Sequence, residues 1–127
     1  MARGSSRETE MFTFFRVIVV SFLNHFYMLI HFVYILYSEQ TDKYYIGQTE
    51  DLDRRLMEHN SHSYQDSYTK IASDWKMKIN LKCSSKRQAI KIENHIKKNR
   101  SRKYVEDFIR FPEIGQNLLV KYLEENQ

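Results

Sequence analysis

Residues 32–37 read Phe-Val-Tyr-Ile-Leu-Tyr, a β-branched and aromatic run without a helix breaker, and they predict a strand. SEQTDK supplies turn-forming Ser and Asp, and Tyr-Tyr-Ile-Gly-Gln at 44–48 predicts a second strand, so the two form a hairpin. With Tyr37 opposite Tyr44, Leu36 faces Tyr45 and Tyr34 faces Gly47. Opposed residues share a sheet face, so Tyr34 and Tyr45 point the same way, and Gly47 leaves an open notch beside the Tyr34 phenol.

A helix is expected over 50–60, N-capped by Thr49, with Glu50, Asp51 and Asp53 complementing its positive end. At about 100° per residue, Leu52, Arg55, Leu56 and His59 share one stripe, with Arg54 on the opposite side. The face that must cover the sheet is therefore half leucine and half cationic or titratable. An arginine can snorkel from such a place, and a lone histidine there is usually a satisfied core group. Arg and His stacked one turn apart beside an aromatic hairpin point instead to chemistry.

Residues 61–74 form a polar surface loop. WKMKINLKC at 75–83 alternates, with Trp75, Met77, Ile79, Leu81 and Cys83 on one face and Lys76, Lys78 and Lys82 on the other, a half-buried strand with a basic outer side. Ser85 and Gln88 have capping-box spacing and open a helix whose apolar stripe is Ala89, Ile92 and Ile96. Residues 101–110 predict another helix, capped by Ser101 and ended by Pro112, with Tyr104, Val105 and Phe108 apolar. Leu118, Leu119 and Tyr122 then dock a last weak helix.

The first thirty residues join a basic start to an apolar run. Arg16 interrupts that run and no small-residue cleavage site follows, which argues against a signal peptide. Arg16, Asn24, His25 and His31 argue against a span, since a charge costs ~2.5–3.5 kcal/mol near the bilayer centre. Residues 1–27 are expected to be an extension, disordered or membrane-associated, with 28–112 the compact domain and 113–127 a helical tail. A membrane is not the expected partner.

The 127 residues suit one domain with one modest core. Three Gly and one Pro argue against a turn-rich sandwich. The single cysteine, Cys83, excludes an internal disulfide, fits a reducing compartment, and reads as a small strand residue. Charge is more telling. Residues 76–110 hold twelve Lys or Arg against three Asp or Glu, whereas residues 39–75 hold four against eight. A basic block of that density expects a polyanion, nucleic acid first among them, although a solvated helix face would look the same.

Within that block stands Glu93, near the edge of its helix's apolar stripe. As a surface partner for Lys97 it would contribute a few tenths of a kcal/mol. Against the core edge of a basic helix it also suits a hard divalent ion, which binds near phosphates through one or two carboxylates. The sequence holds no Walker-type or dinucleotide-binding glycine pattern, so no small-molecule cofactor is expected. A zinc site from His59, His62, Cys83 and His95 would fit no familiar spacing.

Together, Val33-Tyr34-Ile35, Tyr45-Ile46-Gly47, Arg55, His59 and Glu93 resemble the GIY-YIG nuclease domain, in particular its small stand-alone members and the N-terminal domain of excision-repair nucleases. Phe32 stands where the family's name has its first glycine. The resemblance covers roughly residues 32–110. It implies an α+β fold, a small three-stranded antiparallel or mixed sheet flanked by helices in the order β-β-α-β-α-α. It also implies a cytoplasmic, metal-dependent DNA endonuclease serving repair or branched-DNA processing.

In that likeness Glu93 holds one Mg²⁺ or Mn²⁺ ion and Arg55 donates to the phosphoryl oxygens. Tyr34 or His59 takes the proton of the attacking water, and Tyr45 orients it. Lys70, Lys76, Lys78, Lys82, Lys86, Lys91 and Lys97 hold the DNA backbone without reading bases. The alternative is a nucleic-acid-binding module that keeps the fold without cleaving.

Overall fold

The β-rich hairpin of the sequence becomes the middle and one edge of a three-stranded antiparallel sheet in a computed structural model, ordered β2-β1-β3. The structure describes residues 3–63, 68–99 and 101–123, and their side chains apart from 3–7 and 22–29. Expectations that fall on Tyr64, Ser67, Arg100, residues 124–127 and the side chains of Asn24, His25 and Met28 lie outside the described residues.

The elements are α1 (Arg3–Leu29), β1 (His31–Ser38), β2 (Lys43–Thr49), α2 (Leu52–Ser61), a single 3-10 turn (Thr69–Ile71), β3 (Lys76–Cys83), α3 (Lys86–Asn99), α4 (Arg102–Arg110) and α5 (Pro112–Lys121). The fold is α+β, and from β1 onward the strands and helices come in the order the sequence predicts.

The hairpin register pairs Tyr37 with Tyr44, Leu36 with Tyr45 and Tyr34 with Gly47. Tyr34, Leu36 and Tyr45 therefore share a face, and Val33, Ile35 and Ile46 lie on the other. Each face buries its own cluster. Leu52 and Leu56 of α2 pack with Tyr34, Leu36, Tyr45, Ala72, Trp75 and Met77. Ala89, Ile92 and Ile96 of α3 pack with Val33, Ile35 and Leu81, joined by Val105 and Phe108 of α4 and Leu118 of α5. At about 25 cal/mol per Å² of apolar surface removed from water, these two clusters are the main force holding helices to sheet.

The sequence puts five apolar residues of the third strand on one face, and the structure corrects this. Ile35 pairs with Ile79 but Leu36 pairs with Met77, an irregularity with one extra residue on β3. A bulge of that kind reverses the side-chain alternation beyond it. Ile79, Leu81 and Cys83 thus meet the α3 cluster, whereas Trp75 and Met77 meet the α2 cluster. The lysines divide as well. Lys82 pairs with Phe32 on the Tyr34 side, and Lys76 pairs with Tyr37 on the other.

Helix starts are corrected in detail. The N-cap of α2 is Asp51, whose carboxylate accepts from Arg54 N at 3.1 Å. Thr49 is buried, and its hydroxyl accepts the Asp51 amide at 3.1 Å, so it fixes the turn before the helix rather than the helix itself. At α3, Ser85 Oγ accepts from Gln88 N as a capping box requires. The Gln88 carboxamide, however, accepts from Ser84 N and Ser84 Oγ and donates to Leu119 O, tying α3 to α5. Ser101 caps α4 as expected, and Pro112 both follows α4 and opens α5 at its first position.

The helix α1, Arg3–Leu29, takes in residues 3–27 of the expected extension and the first two residues of the expected domain. Met11, Phe12, Phe14, Phe15 and Val20 of α1 are exposed, so they add nothing to either cluster. Among the described residues no helix is long and apolar enough to cross a membrane.

Candidate active site

The α2 face of the sheet carries a packed group of polar aromatics. Tyr34 OH lies 2.9 Å from His59 Nε2, and His59 Nδ1 lies 2.9 Å from Thr69 Oγ1. Tyr34, His59 and Thr69 are all essentially buried, so this three-member chain of hydrogen bonds sits out of water, where such bonds are stronger. The Tyr45 ring stands edge-on to the His59 ring at 4.7 Å and 6.2 Å from that of Tyr34. Tyr68 stacks on Tyr45 at 6.1 Å, and Trp75 closes the group at 6.4 Å from both.

Local sequence explains why these groups converge. Tyr34 and Tyr45 share a face through the hairpin register. Gly47 is needed because the phenol lies over it: a Cβ there would stand 2.5 Å from Tyr34 OH and 2.6 Å from its Cζ. The notch expected beside the phenol is therefore filled by the phenol itself. His59 comes from the inward stripe of α2, one turn beyond Arg55. The loop that brings Thr69 is held by Trp75, whose indole N–H donates to Thr69 O at 2.9 Å. Asn60 grips the backbone of Trp75 from both sides, accepting from its N–H at 2.7 Å and donating to its C=O at 3.0 Å. His62, left-handed at the C-cap of α2, pairs its Nε2 with Ala72 O at 2.8 Å.

Of the residues singled out from sequence, Tyr34, Tyr45 and His59 thus come together. Arg55 lies on the same helix with its side chain about 17% exposed and Nε 3.3 Å from Glu58 Oε2. It extends toward the start of β1, where its charge helps hold His31 below the usual histidine range. Burial is the main cause of that depression, partly offset by Gln48 and Glu50; the Glu50 carboxylate is 3.8 Å away.

Glu93 lies on α3, whose apolar stripe of Ala89, Ile92 and Ile96 packs on the Val33–Ile35 side of the sheet. Its carboxylate pairs with Lys97 Nζ at 2.6 Å, with the glutamate side chain about 15% exposed and the lysine about 48%. Lys70, Lys76, Lys78, Lys82, Lys86, Lys91 and Lys97 are all exposed, with Lys82 and Lys76 of β3 on opposite faces of the sheet.

Thr69, Tyr68, Trp75 and Asn60 join the aromatic group, and His31 stands beside Glu50, with no signal for either in the sequence pattern. The hydrogen-bonding Thr69 lies in a polar loop whose path no periodicity reveals. His31 reads as the edge of an apolar run. Cys83 is buried, and burial pushes its thiol up to about 11, in keeping with a packed strand residue and not a nucleophile.

No cluster of three or more His, Cys, Asp or Glu able to hold a metal exists among the described residues. That removes the zinc set, which would need several such ligands. A hard ion near a phosphate needs less. Glu93 fits one: a carboxylate about 15% exposed, beside the half-exposed Lys97.

A sequence model of the GIY-YIG catalytic domain matches residues 30–105, a stretch that contains every strand, α2 and α3. No curated protein and no solved structure gives a significant match. The match spans more than half of the chain, which therefore belongs to the GIY-YIG family, a family of nucleases.

Proposed function

We propose, from this membership, that the chain is a metal-dependent endonuclease that hydrolyses phosphodiester bonds in DNA. Tyr34, Tyr45, Arg55 and His59 would surround the phosphate, and Glu93 would hold the ion. The observation that carries the proposal is the buried chain Tyr34–His59–Thr69, because it gives a phenol a route for its proton. A free phenol titrates near about 10 and is a poor base at neutral pH. A phenol hydrogen-bonded to an imidazole need not ionise first.

With His59 Nδ1–H donated to Thr69 Oγ1, Nε2 accepts the phenolic proton of Tyr34. As the attacking water passes a proton to the Tyr34 oxygen, the phenol's own proton moves to His59 Nε2. The water oxygen bonds to phosphorus, the bond to the 3′-oxygen breaks, and that oxygen takes a proton from solvent. The products are a 5′-phosphate and a 3′-hydroxyl. Thr69 orients the imidazole and, when its oxygen accepts from Nδ1–H, leaves Nε2 open for this transfer, the positioning part of the third group of a triad. Tyr45, more open than Tyr34, orients the water. Arg55 donates to the phosphoryl oxygens as charge builds on them, a role with typical effects of about 10²–10³ in rate. A Mg²⁺ or Mn²⁺ ion at Glu93 would supply Lewis-acid neutralisation of the phosphate and the leaving oxygen.

Residues 28–112 are proposed as the nuclease domain, with 1–27 as an extension and 113–127 as a helical tail. The unpaired buried thiol of Cys83 suits a reducing, cytoplasmic setting, with branched or damaged DNA as the substrate. The test is nicking of supercoiled and branched DNA in Mg²⁺ by purified protein, beside Arg55→Ala and Glu93→Ala. Cleavage abolished in both supports the assignment; cleavage that survives Glu93→Ala removes the metal site.

A further inference from the structure

A cavity of about 570 Å³ opens along the free edge of β2, between the hairpin and the ends of α3 and α4. Ile46 is part of its lining, Tyr44 and Tyr68 stand as aromatic walls, and Lys43, Lys97 and Arg102 supply cations. The walls are fixed. Tyr68 OH donates to Tyr44 O at 3.2 Å, and the Arg102 guanidinium lies 5.3 Å over the Tyr44 ring. The lining sets three cations against one carboxylate, Asp42, which pairs with Arg102 at 2.6 Å; Arg102 and Lys97 also pair with Glu106 and Glu93 beyond the lining.

The cavity borders the proposed site on two sides. Tyr68 stacks on Tyr45, and Lys97 pairs with Glu93. We propose that this cavity seats one unpaired nucleotide next to the scissile phosphate, its base against the exposed Tyr68 and its phosphate on Lys43 and Lys97. The inference rests on the nuclease reading and narrows its substrate to DNA with an unpaired nucleotide at the cut, as in a flap, gap or branch. The volume falls within the usual range for a small-ligand site, about 300–1,000 Å³, and so suits a nucleotide and not a duplex. Aromatic faces beside lysines are the means by which proteins hold single strands without reading sequence, and a paired base keeps its faces inside the stack.

The test needs no cleavage. A short single-stranded oligonucleotide carrying one 2-aminopurine, and the same strand annealed into a blunt duplex, are titrated with the full chain in EDTA. The single strand is expected to bind more tightly, with a fluorescence change at the probe. Tyr68→Ala should weaken it about 5- to 150-fold, the range typical of losing one stacked base, while Tyr68→Phe stays within a few-fold. Lys43→Ala should lower the salt slope by about one. Equal affinity for duplex and single strand, or a Tyr68→Ala variant that binds like the parent, overturns the proposal. A chain that binds this way but cuts nothing keeps the cavity and removes the nuclease reading. One that cuts duplexes without this binding removes the cavity alone.

Discussion

Gly47 and Tyr34 occupy a space that admits only one side chain. The phenol lies over the glycine so closely that a Cβ would meet its oxygen at 2.5 Å. The glycine is there for this contact, not for backbone freedom, since no glycine in the described chain has positive φ.

Gly47→Ala is therefore expected to push the Tyr34 ring off His59. Overpacking of this kind costs about 1–3 kcal/mol, read as a lower thermal midpoint. Cleavage should fall further than stability does, because the displaced atom is the phenolic oxygen. An alanine variant with parental midpoint and activity would show that the ring is free to shift.

Asn60→Ala removes both bonds to the Trp75 backbone. With Trp75 buried, its amide and carbonyl lose their partners at a cost of roughly 1–3 kcal/mol. Chemical denaturation is expected to show that loss. Because Trp75 also holds Thr69, activity should drop in step with it.

Thr69→Val keeps the shape of the side chain and removes the hydroxyl next to His59 Nδ1. General acid–base steps contribute about 10²–10⁴-fold, and a misdirected imidazole should forfeit part of that in kcat. Nitrogen NMR of the His59 ring separates this from mere loosening. The parent should hold a single tautomer and the variant a mixture, whereas an unchanged tautomer would deny Thr69 its positioning role.

Stability should fall as pH drops below about 6.5. Burial holds His31 and His95 below that ordinary value, with Lys121 and Lys98 acting further on His95; around His31, Gln48 and Glu50 oppose the shift while Lys86 and Arg55 add to it. The folded chain thus binds these protons less readily than the unfolded chain, so unfolding takes protons up and acid favours it. Carboxylates held low, Asp42 beside Arg102 and Glu50 by its own backbone amide, act in the same direction only below their ordinary 3.8 and 4.5. Thermal midpoints between pH 7.5 and 5.5 therefore isolate the histidines, and His31→Gln should flatten the slope. A midpoint constant over that range would contradict the burial of both rings.

The two strands of the hairpin were legible in their β-branched and aromatic runs, whereas the register rested on setting Tyr37 opposite Tyr44, the pairing the structure has; His59 was legible from the stripe of its helix. The split of β3 was not legible. Trp75 to Cys83 alternates without interruption in sequence, and the bulge that reverses its faces lies in the pairing with β1. The cap of α2 went to Asp51 because Thr49 had already turned its hydroxyl to the Asp51 amide. The hydrogen bond of Thr69 to His59 was not legible because a loop carries no periodicity, and the position of Thr69 depends on its contacts with Trp75, itself held by Asn60. Glu93 was picked out as the lone acid in a basic helix, while its pairing with Lys97 is the bland use the same spacing allows.

The most direct test of the central claim compares the parent with Tyr34→Phe and His59→Ala in single-turnover cleavage of flapped DNA in Mg²⁺, with binding measured alongside in EDTA. If the buried phenol and imidazole move the proton, each variant should cleave about 10²–10⁴-fold more slowly while holding DNA as the parent does. Parental cleavage rates from either variant would contradict it.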